Sequence, residues 1–158
     1  MALTVSIILF GPISNSHVNP AVTLGVLIRE TGEKRAKGKF WYLFGYTVKI
    51  WIAQIGGALF GAAMIALVRY EETVATARLC SPIGGVMCAN FNGNGFKMLF
   101  AEIIGTFLFV SVNVNIIYFN GSTELILNAI IIGLALILGI FVAAPISGGS
   151  INPAVGIV

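Results

Sequence analysis

The sequence predicts an all-α membrane protein that contains an internal inverted repeat. Hydrophobic residues make up 58% of the chain and charged residues only 9%, whereas an average soluble domain carries about 25% charged residues. A chain of 158 residues cannot hide that much apolar surface in one soluble core, so lipid is the expected solvent. Three long apolar stretches and one duplicated motif support the same fold class.

Three apolar stretches are long enough to cross a bilayer, because crossing takes roughly 20 residues of apolar helix. They are predicted at residues 50–68, 98–119 and 125–144, and Glu102 interrupts the second. Basic and aromatic side chains suited to the headgroup level mark the start of the first span: Trp41, Tyr42, Tyr46, Lys49 and Trp51. Three amides within the spans are interpreted as contacts between helices: Asn113, Asn115 and Asn128.

Two shorter apolar pieces, residues 1–11 and 20–28, are too short to span the membrane. Eleven residues of helix rise ~16 Å, about half a bilayer. Such a helix can enter the membrane and stop only where other protein surrounds it. Residues 1–11 have neither the basic start nor the cleavage site of a signal peptide, so we interpret them as the end of a truncated span.

Polar segments between the spans predict the orientation of the chain. Residues 29–39 hold five basic residues against two Glu, and a short basic loop of this kind is typical of the cytoplasmic side or its equivalent. The polar residues 70–97 should then lie on the opposite side. In sealed vesicles, we expect a membrane-impermeant thiol reagent to label reduced Cys80 from that opposite side. Labelling from the cytoplasmic side would reject the orientation.

An internal repeat dominates the rest of the sequence. Residues 12–22 read PISNSHVNPAV and residues 145–155 read PISGGSINPAV, with seven identical positions. Each copy follows an apolar helix, and three predicted spans separate the copies. An odd number of crossings places the two copies on opposite faces of the membrane, an arrangement that channels and transporters build from inverted repeats. Each copy can then fold back towards the membrane centre.

The chemistry of each copy follows from its helix start, because Asn is a favoured N-cap and Pro is favoured at the first helical position. The two motifs are Asn19-Pro20-Ala21 and Asn152-Pro153-Ala154, and they predict short helices over residues 20–28 and 153–158. Helix N-termini carry partial positive charge. Two of them facing each other would repel cations and admit neutral molecules, with the Asn amide groups pointing into the lumen as donors.

With these residues in view, the chain resembles the aquaporin, or major intrinsic protein, family. SNSHVNPAVTLG and ISGGSINPAV are similar to its two pore loops, AQIGGALFG to its third span and AEIIGTFLFV to its fourth. The resemblance implies a right-handed bundle of six spans and two half-helices in the lipid bilayer, often a homotetramer with one pore per subunit. It also implies that Glu102 braces the loop at residues 146–151 and that the His17 backbone lines the pore.

The sequence departs from the family pattern in two ways. The family's first and sixth spans have no counterpart in residues 1–158, so we expect a partial sequence or one completed by other membrane subunits. The second departure concerns the selectivity constriction, where the family usually carries Arg directly after the second motif. Here that position is Val155, and two further constriction positions are Ile140 and Gly149. The resemblance therefore implies an apolar constriction without a fixed charge.

Passive conduction of water or small neutral solutes such as glycerol is the function these residues favour. The alternative is a structural subunit of a larger membrane complex that keeps the fold and has lost the pore, which the apolar constriction would allow. Secondary transporters also use broken helices and inverted repeats. A transporter is disfavoured because the predicted lumen holds no charge pair for ion coupling.

Other function classes find little support. No acid, base and nucleophile stand together, so we do not expect an enzyme, and no Cys/His spacing suggests a metal or cofactor. The basic cluster is too short to favour a nucleic-acid surface. Cys80 and Cys88 share the long polar loop and form either a disulfide or two free thiols, depending on the compartment.

Overall fold

Helices account for all the regular structure that the described residues form. The structure, a computed structural model, describes residues 1–32, 38–70, 95–120 and 124–157, so the loop with Cys80 and Cys88 lies outside the described residues. In chain order the elements are α1 (Ala2–Ser14), α2 (Pro20–Gly32), α3 (Phe40–Val68), α4 (Gly95–Asn115), a π-helical turn (Ile116–Asn120), α5 (Leu125–Ser147) and α6 (Pro153–Ile157).

Three of these helices are long and apolar enough to cross a membrane: α3, α4 with its π-helical turn, and α5. The first begins at Phe40 rather than at residue 50, because residues 40–49 contain no proline and nothing else that ends a helix. Its 29 residues are about 43 Å long, more than the ~30 Å of a hydrocarbon core. The second begins at Gly95 rather than at residue 98.

The helices that precede the two motifs run one turn beyond their predicted ends. α1 continues to Ser14 and α5 to Ser147, because Pro12 and Pro145 fall in their last turns and do not stop them. A proline there forgoes one hydrogen bond to the preceding turn. After the first motif, α2 extends to Gly32 rather than to residue 28, whereas α6 is a short helix of five residues.

Close backbone approach between α4 and α5 organises the core. A Cβ atom on Gly105 would lie 2.8 Å from the carbonyl oxygen of Gly139, and a Cβ atom on Gly139 would lie 2.8 Å from the carbonyl oxygen of Gly105. Small residues at facing positions allow helices to approach this closely in membranes. Phe109 and Val22, almost fully buried, belong to the hydrophobic core of the bundle. α2 lies against α3 and α4, and α1 lies against α5.

The outside of the bundle is strongly apolar. Along α3, large hydrophobic side chains such as Phe60 (69% exposed) and Leu67 (75% exposed) have no cover from the described residues. The exposed faces of α4 and α5 carry similar side chains, for example Phe107 and Phe141. A soluble monomer seldom exposes such a continuous apolar surface. The exterior therefore fits lipid or other membrane helices.

Candidate functional site

The two copies of the repeat end their leading helices in the same way. Asn15 after α1 and Gly148 after α5 both adopt left-handed backbone conformations, with φ of 58° and 91°. The N–H of Asn15 donates to the carbonyl of Gly11 at 2.9 Å, and the N–H of Gly148 donates to the carbonyl of Ala144 at 3.0 Å. Both residue types tolerate this conformation. The chain therefore turns sharply at the same point of each copy of the repeat.

The loops also share a strained residue immediately before each motif. Val18 and Ile151 have φ of 40° and 49°, a conformation that is a genuine outlier for a β-branched side chain. Such backbone costs roughly 1–3 kcal/mol per residue and persists only where surrounding contacts enforce it. Here the enforcing contacts are hydrogen bonds to the two strained residues' own carbonyl oxygens.

These hydrogen bonds join the two motifs reciprocally. Asn19 donates its Nδ2–H to the carbonyl of Ile151 at 3.0 Å, and Asn152 donates its Nδ2–H to the carbonyl of Val18 at 3.0 Å. From the sequence we expected the free NH2 group of each Asn to point into the lumen as a donor. The structure instead uses one hydrogen of each amide to hold the opposite loop, which leaves one per residue. Asn19 is only 3% exposed, whereas Asn152 is half-buried and lines a cavity.

Each Asn side chain also caps its own short helix. Asn19 accepts from the N–H of Ala21 at 2.8 Å, and Asn152 accepts from the N–H of Ala154 at 3.0 Å. One amide thus provides an N-cap through its oxygen and a bond to the other loop through its nitrogen. Pro20 and Pro153 occupy the first helical positions, where no N–H is needed. The local roles predicted for the motifs match this geometry.

A series of hydrogen bonds made by side chains of α3 holds the start of α2. Trp51 donates its indole N–H to the carbonyl of Pro20 at 3.0 Å, and Gln54 donates to the hydroxyl of Thr23 at 3.0 Å. Thr23 donates in turn to the carbonyl of Asn19 at 3.1 Å. Trp51, which the sequence predicts at the headgroup level, thus contacts the first motif from a position eleven residues, or ~16 Å, beyond the start of α3.

Sequence reasoning missed Gln54 and Thr23 as parts of this site. A signal was present, because a Gln inside an apolar span is costly unless it has partners. This observation predicts that Gln54 has a hydrogen-bond partner, but it does not identify the partner. The partner, Thr23, lies 31 positions away in the sequence on another helix.

Glu102 of α4 lies against the loop that precedes the second motif. One carboxylate oxygen accepts from the N–H of Ser150 at 3.0 Å, and the other accepts from the N–H of Ile151 at 2.8 Å. The hydroxyl groups of Ser147 and Ser150 donate to the same carboxylate at 2.5 Å and 3.2 Å. The backbone donors are those that the family resemblance implied. The two hydroxyl donors went unrecognised in the sequence.

A cavity of about 550 Å³ opens between α3 and the two loops. His17, Gln54, Asn152 and Val155 are among the residues that line it. Both ring nitrogens of His17 are buried and have no hydrogen-bond partner within the described part of the chain. The cavity walls are otherwise mostly small or apolar, so a molecule inside would find few polar groups.

The three predicted constriction residues do not share this cavity. Val155 lines it, whereas Ile140 and Gly149 do not. Gly149 is buried with φ of 69°, and a Cβ atom there would lie 3.1 Å from the backbone of Ala144. The loop conformation therefore requires glycine at position 149, independently of any role in solute selectivity.

Taken together, three membrane-length helices and two short helices that meet end to end define an integral, multi-pass membrane protein with two re-entrant segments. Within the described ranges, no group of three or more His, Cys, Asp or Glu residues is placed to bind a metal.

The chain belongs to the major intrinsic protein family, whose family model matches residues 1–158. It is 33% identical over 154 residues to glycerol uptake facilitator protein-like 6 of Lactiplantibacillus plantarum, covering 98% of this chain and 63% of that protein. It is 36% identical over 154 residues to probable aquaporin TIP2-2 of Oryza sativa, covering 96% and 53%. It is 35% identical over 155 residues to aquaporin AqpM of Methanothermobacter thermautotrophicus, covering 97% and 56%.

The chain thus spans between about half and two thirds of the length of these curated relatives. No solved structure matches the chain significantly. The relatives' names include both aquaporins and glycerol uptake facilitators.

Proposed function

We propose that the protein is a passive membrane channel for water or small neutral solutes such as glycerol, working as a homotetramer or with other membrane subunits. The single observation that carries this proposal is the reciprocal hydrogen bonding of Asn19 and Asn152 across the two loops. It brings the N-termini of two short helices together, with one remaining amide hydrogen on each Asn. Relatives named as aquaporins and glycerol uptake facilitators support the same function.

The helix ends supply the charge selectivity. Each N-terminus presents unpaired N–H groups and a partial positive charge. Two such ends that face each other oppose the entry of a cation, while a neutral solute meets no comparable barrier. A water molecule that accepts from both Asn19 and Asn152 must turn its own hydrogens away from them. That orientation interrupts the chain of hydrogen bonds along which a proton would move.

Glu102 holds the second loop open in this proposal. Its carboxylate accepts from the N–H groups of Ser150 and Ile151, which would otherwise be unpaired beside an apolar helix. A membrane-embedded carboxylate is costly by roughly 2.5–3.5 kcal/mol on insertion scales when it has no partners. Four donors offset that cost, which favours a structural brace over a proton relay.

The constriction determines the permeability that we expect for water and for other neutral solutes. Val155 supplies neither a donor for water nor a positive charge, and Ile140 and Gly149 add no polar side chain. Water that passes an apolar neck must give up hydrogen bonds without replacement, and narrow apolar necks tend to dewet. We therefore propose low water permeability and better passage of less polar neutral solutes. A pore-degenerate structural subunit remains the second candidate, because the same apolar residues would also suit a closed neck.

Stopped-flow swelling of vesicles that contain the full-length protein tests this proposal. We expect wild-type protein to pass glycerol measurably and water slowly, and Val155→Arg to raise water permeability relative to glycerol by restoring a donor and a charge. Val155→Met is the matched control, since it adds length without charge and should not raise water permeability. Fast water-selective flux in the wild type would refute the apolar neck, and no flux in any form would favour the structural subunit.

A further inference from the structure

One basic side chain lies within the length of α3 that crosses the membrane. Lys49 is exposed and, in the part of the chain that the structure describes, pairs with no carboxylate. A lysine ammonium group is costly inside a bilayer unless it reaches the interface or meets an opposite charge. The depth of Lys49 therefore decides what its ammonium group can contact.

The contacts between α3 and the first motif set that depth. Trp51 donates to the carbonyl of Pro20 and Gln54 donates to Thr23, so this part of α3 lies level with the start of α2. Interrupted helices of inverted repeats meet near the membrane centre. Lys49 is only ~3 Å along the helix from Trp51, whereas the edge of the hydrocarbon core is ~15 Å from its centre. The ammonium group therefore approaches the headgroups only by extending towards the start of α3, the direction in which helical side chains tilt.

Tyr42 lies on the same face of α3, two turns nearer the headgroups. Seven residues separate Tyr42 from Lys49, so the two side chains are within ~20° of each other around the helix. Tyr42 is 76% exposed, and it is ~14 Å along the helix from Trp51, at the headgroup level. Gly45 lies between them, and a Cβ atom added there would meet nothing within 4 Å. The surface from the Lys49 side chain to the Tyr42 hydroxyl is therefore open.

This level of the molecule also carries further positive charge. Lys39 precedes the first turn of α3 and is exposed. Arg29, in the last turn of α2, lies 5.2 Å from the ring centre of Tyr118. Arg29 is ~14 Å along α2 from Pro20, so its depth matches that of Tyr42. Basic residues at an interface attract anionic headgroups, and the charge of this region therefore favours an anionic lipid.

A second copy of the described residues offers no carboxylate at the depth of Lys49. Glu102 already accepts from four donors, and Glu30 and Glu124 lie at helix ends. On the exposed side of α3, Ile52 is 67% exposed. Lipid reaches any such uncovered face, and a phospholipid supplies both acyl chains for the apolar surface and a phosphate for the ammonium group.

We propose that Lys49 and Tyr42 form a binding site for an anionic phospholipid at the end of α3 that adjoins the basic loop. The phosphate oxygens accept from the ammonium group of Lys49 and from the hydroxyl of Tyr42. One acyl chain extends from there along α3, past Ile52 and over Gly56, where an added Cβ atom would also meet nothing within 4 Å. The site rests on the position of α3 in the membrane and not on conduction.

Thermal melting of the full-length protein in detergent tests this site, because a ligand that binds the folded state raises the melting temperature. The probes are phosphatidylglycerol and phosphatidylcholine with identical acyl chains. We expect phosphatidylglycerol to raise the wild-type melting temperature more than phosphatidylcholine does. Lys49→Met keeps the length of the side chain without its charge, and it should weaken the apparent affinity for phosphatidylglycerol ~fivefold, which corresponds to ~1 kcal/mol for one basic residue at an anionic surface.

Tyr42→Phe is the second variant, since it keeps the ring and removes only the hydroxyl; it should weaken the same affinity by a smaller factor. Lys97→Met is the matched control. Lys97 is exposed in the first turn of α4, in the segment predicted to face the other side of the membrane. This control should keep the wild-type preference for phosphatidylglycerol.

Equal melting shifts with the two lipids in the wild type, or a preference for phosphatidylglycerol that survives Lys49→Met, would overturn the site. A carbodiimide cross-link between Lys49 and an acidic residue of another membrane helix would also overturn it, in favour of a protein partner. These measurements need no conducting pore, so the lipid site and the channel function succeed or fail independently.

Discussion

We expect Glu102→Leu to lower the stability of the protein more than any other single replacement in the span that contains it. Leucine removes the acceptors for the N–H groups of Ser150 and Ile151 and leaves both unpaired. Each unpaired buried donor costs ~1–3 kcal/mol. The melting temperature in detergent should fall clearly, and solute flux should fall with it, because the loop before the second motif loses its support.

Glu102→Gln should have a much smaller effect. The amide fills the same space and keeps one acceptor oxygen, although its nitrogen cannot accept from the second backbone donor. Glu124→Leu is the matched control for the larger change, since Glu124 is exposed at the start of α5 and makes no side-chain cap there. It should melt like the wild type. Equal tolerance of Leu and Gln at position 102 would show that the brace does not exist.

Asn19→Asp is the second change for which we expect a large effect. Aspartate still caps α2, because a carboxylate is favoured at a helix N-terminus. It cannot donate to the carbonyl of Ile151, so an oxygen replaces the nitrogen in the bond between the loops. The position is 3% exposed, and the capping N–H of Ala21 alone does not offset the several kcal/mol that burying a carboxylate costs. We expect reduced stability and the loss of most glycerol and water flux.

Asn152→Asp makes the same chemical change as Asn19→Asp at a less buried position. Comparing the two variants therefore separates the effect of burial from the effect of losing the donor. It removes the symmetry-related bond to the carbonyl of Val18, but its side chain is half-buried and lines the cavity beside the two loops. Flux should still fall, and the loss of stability should be smaller than for Asn19→Asp. Thermal melting of both variants measures the loss of stability, and stopped-flow assays measure the loss of flux. Unchanged flux in both variants would mean that the bond between the loops does not hold the conduction path.

Much of the local structure could be predicted because its causes lie within a few residues. Asn followed by Pro predicts a capped helix start, and both motifs form one. Length and composition identified the spans, although α3 begins at Phe40 because a charge such as Lys49 does not end a helix. The family resemblance placed Glu102 beside the second loop, a contact that spacing alone would not reveal.

The tertiary structure decided which distant atoms meet. Asn19 reaches Ile151 across 132 positions, and Trp51 reaches Pro20 across 31, so no local pattern encodes either bond. The same holds for the cavity beside the two loops, where Val155 became a wall residue and Ile140 did not. The capped helix starts at the two motifs depend on neighbours in the chain, and the sequence alone determined them. Hydrogen bonds between loops and the lining of cavities depend on how helices pack, because a side chain finds its partner only after its helix has a place and a rotation in the bundle.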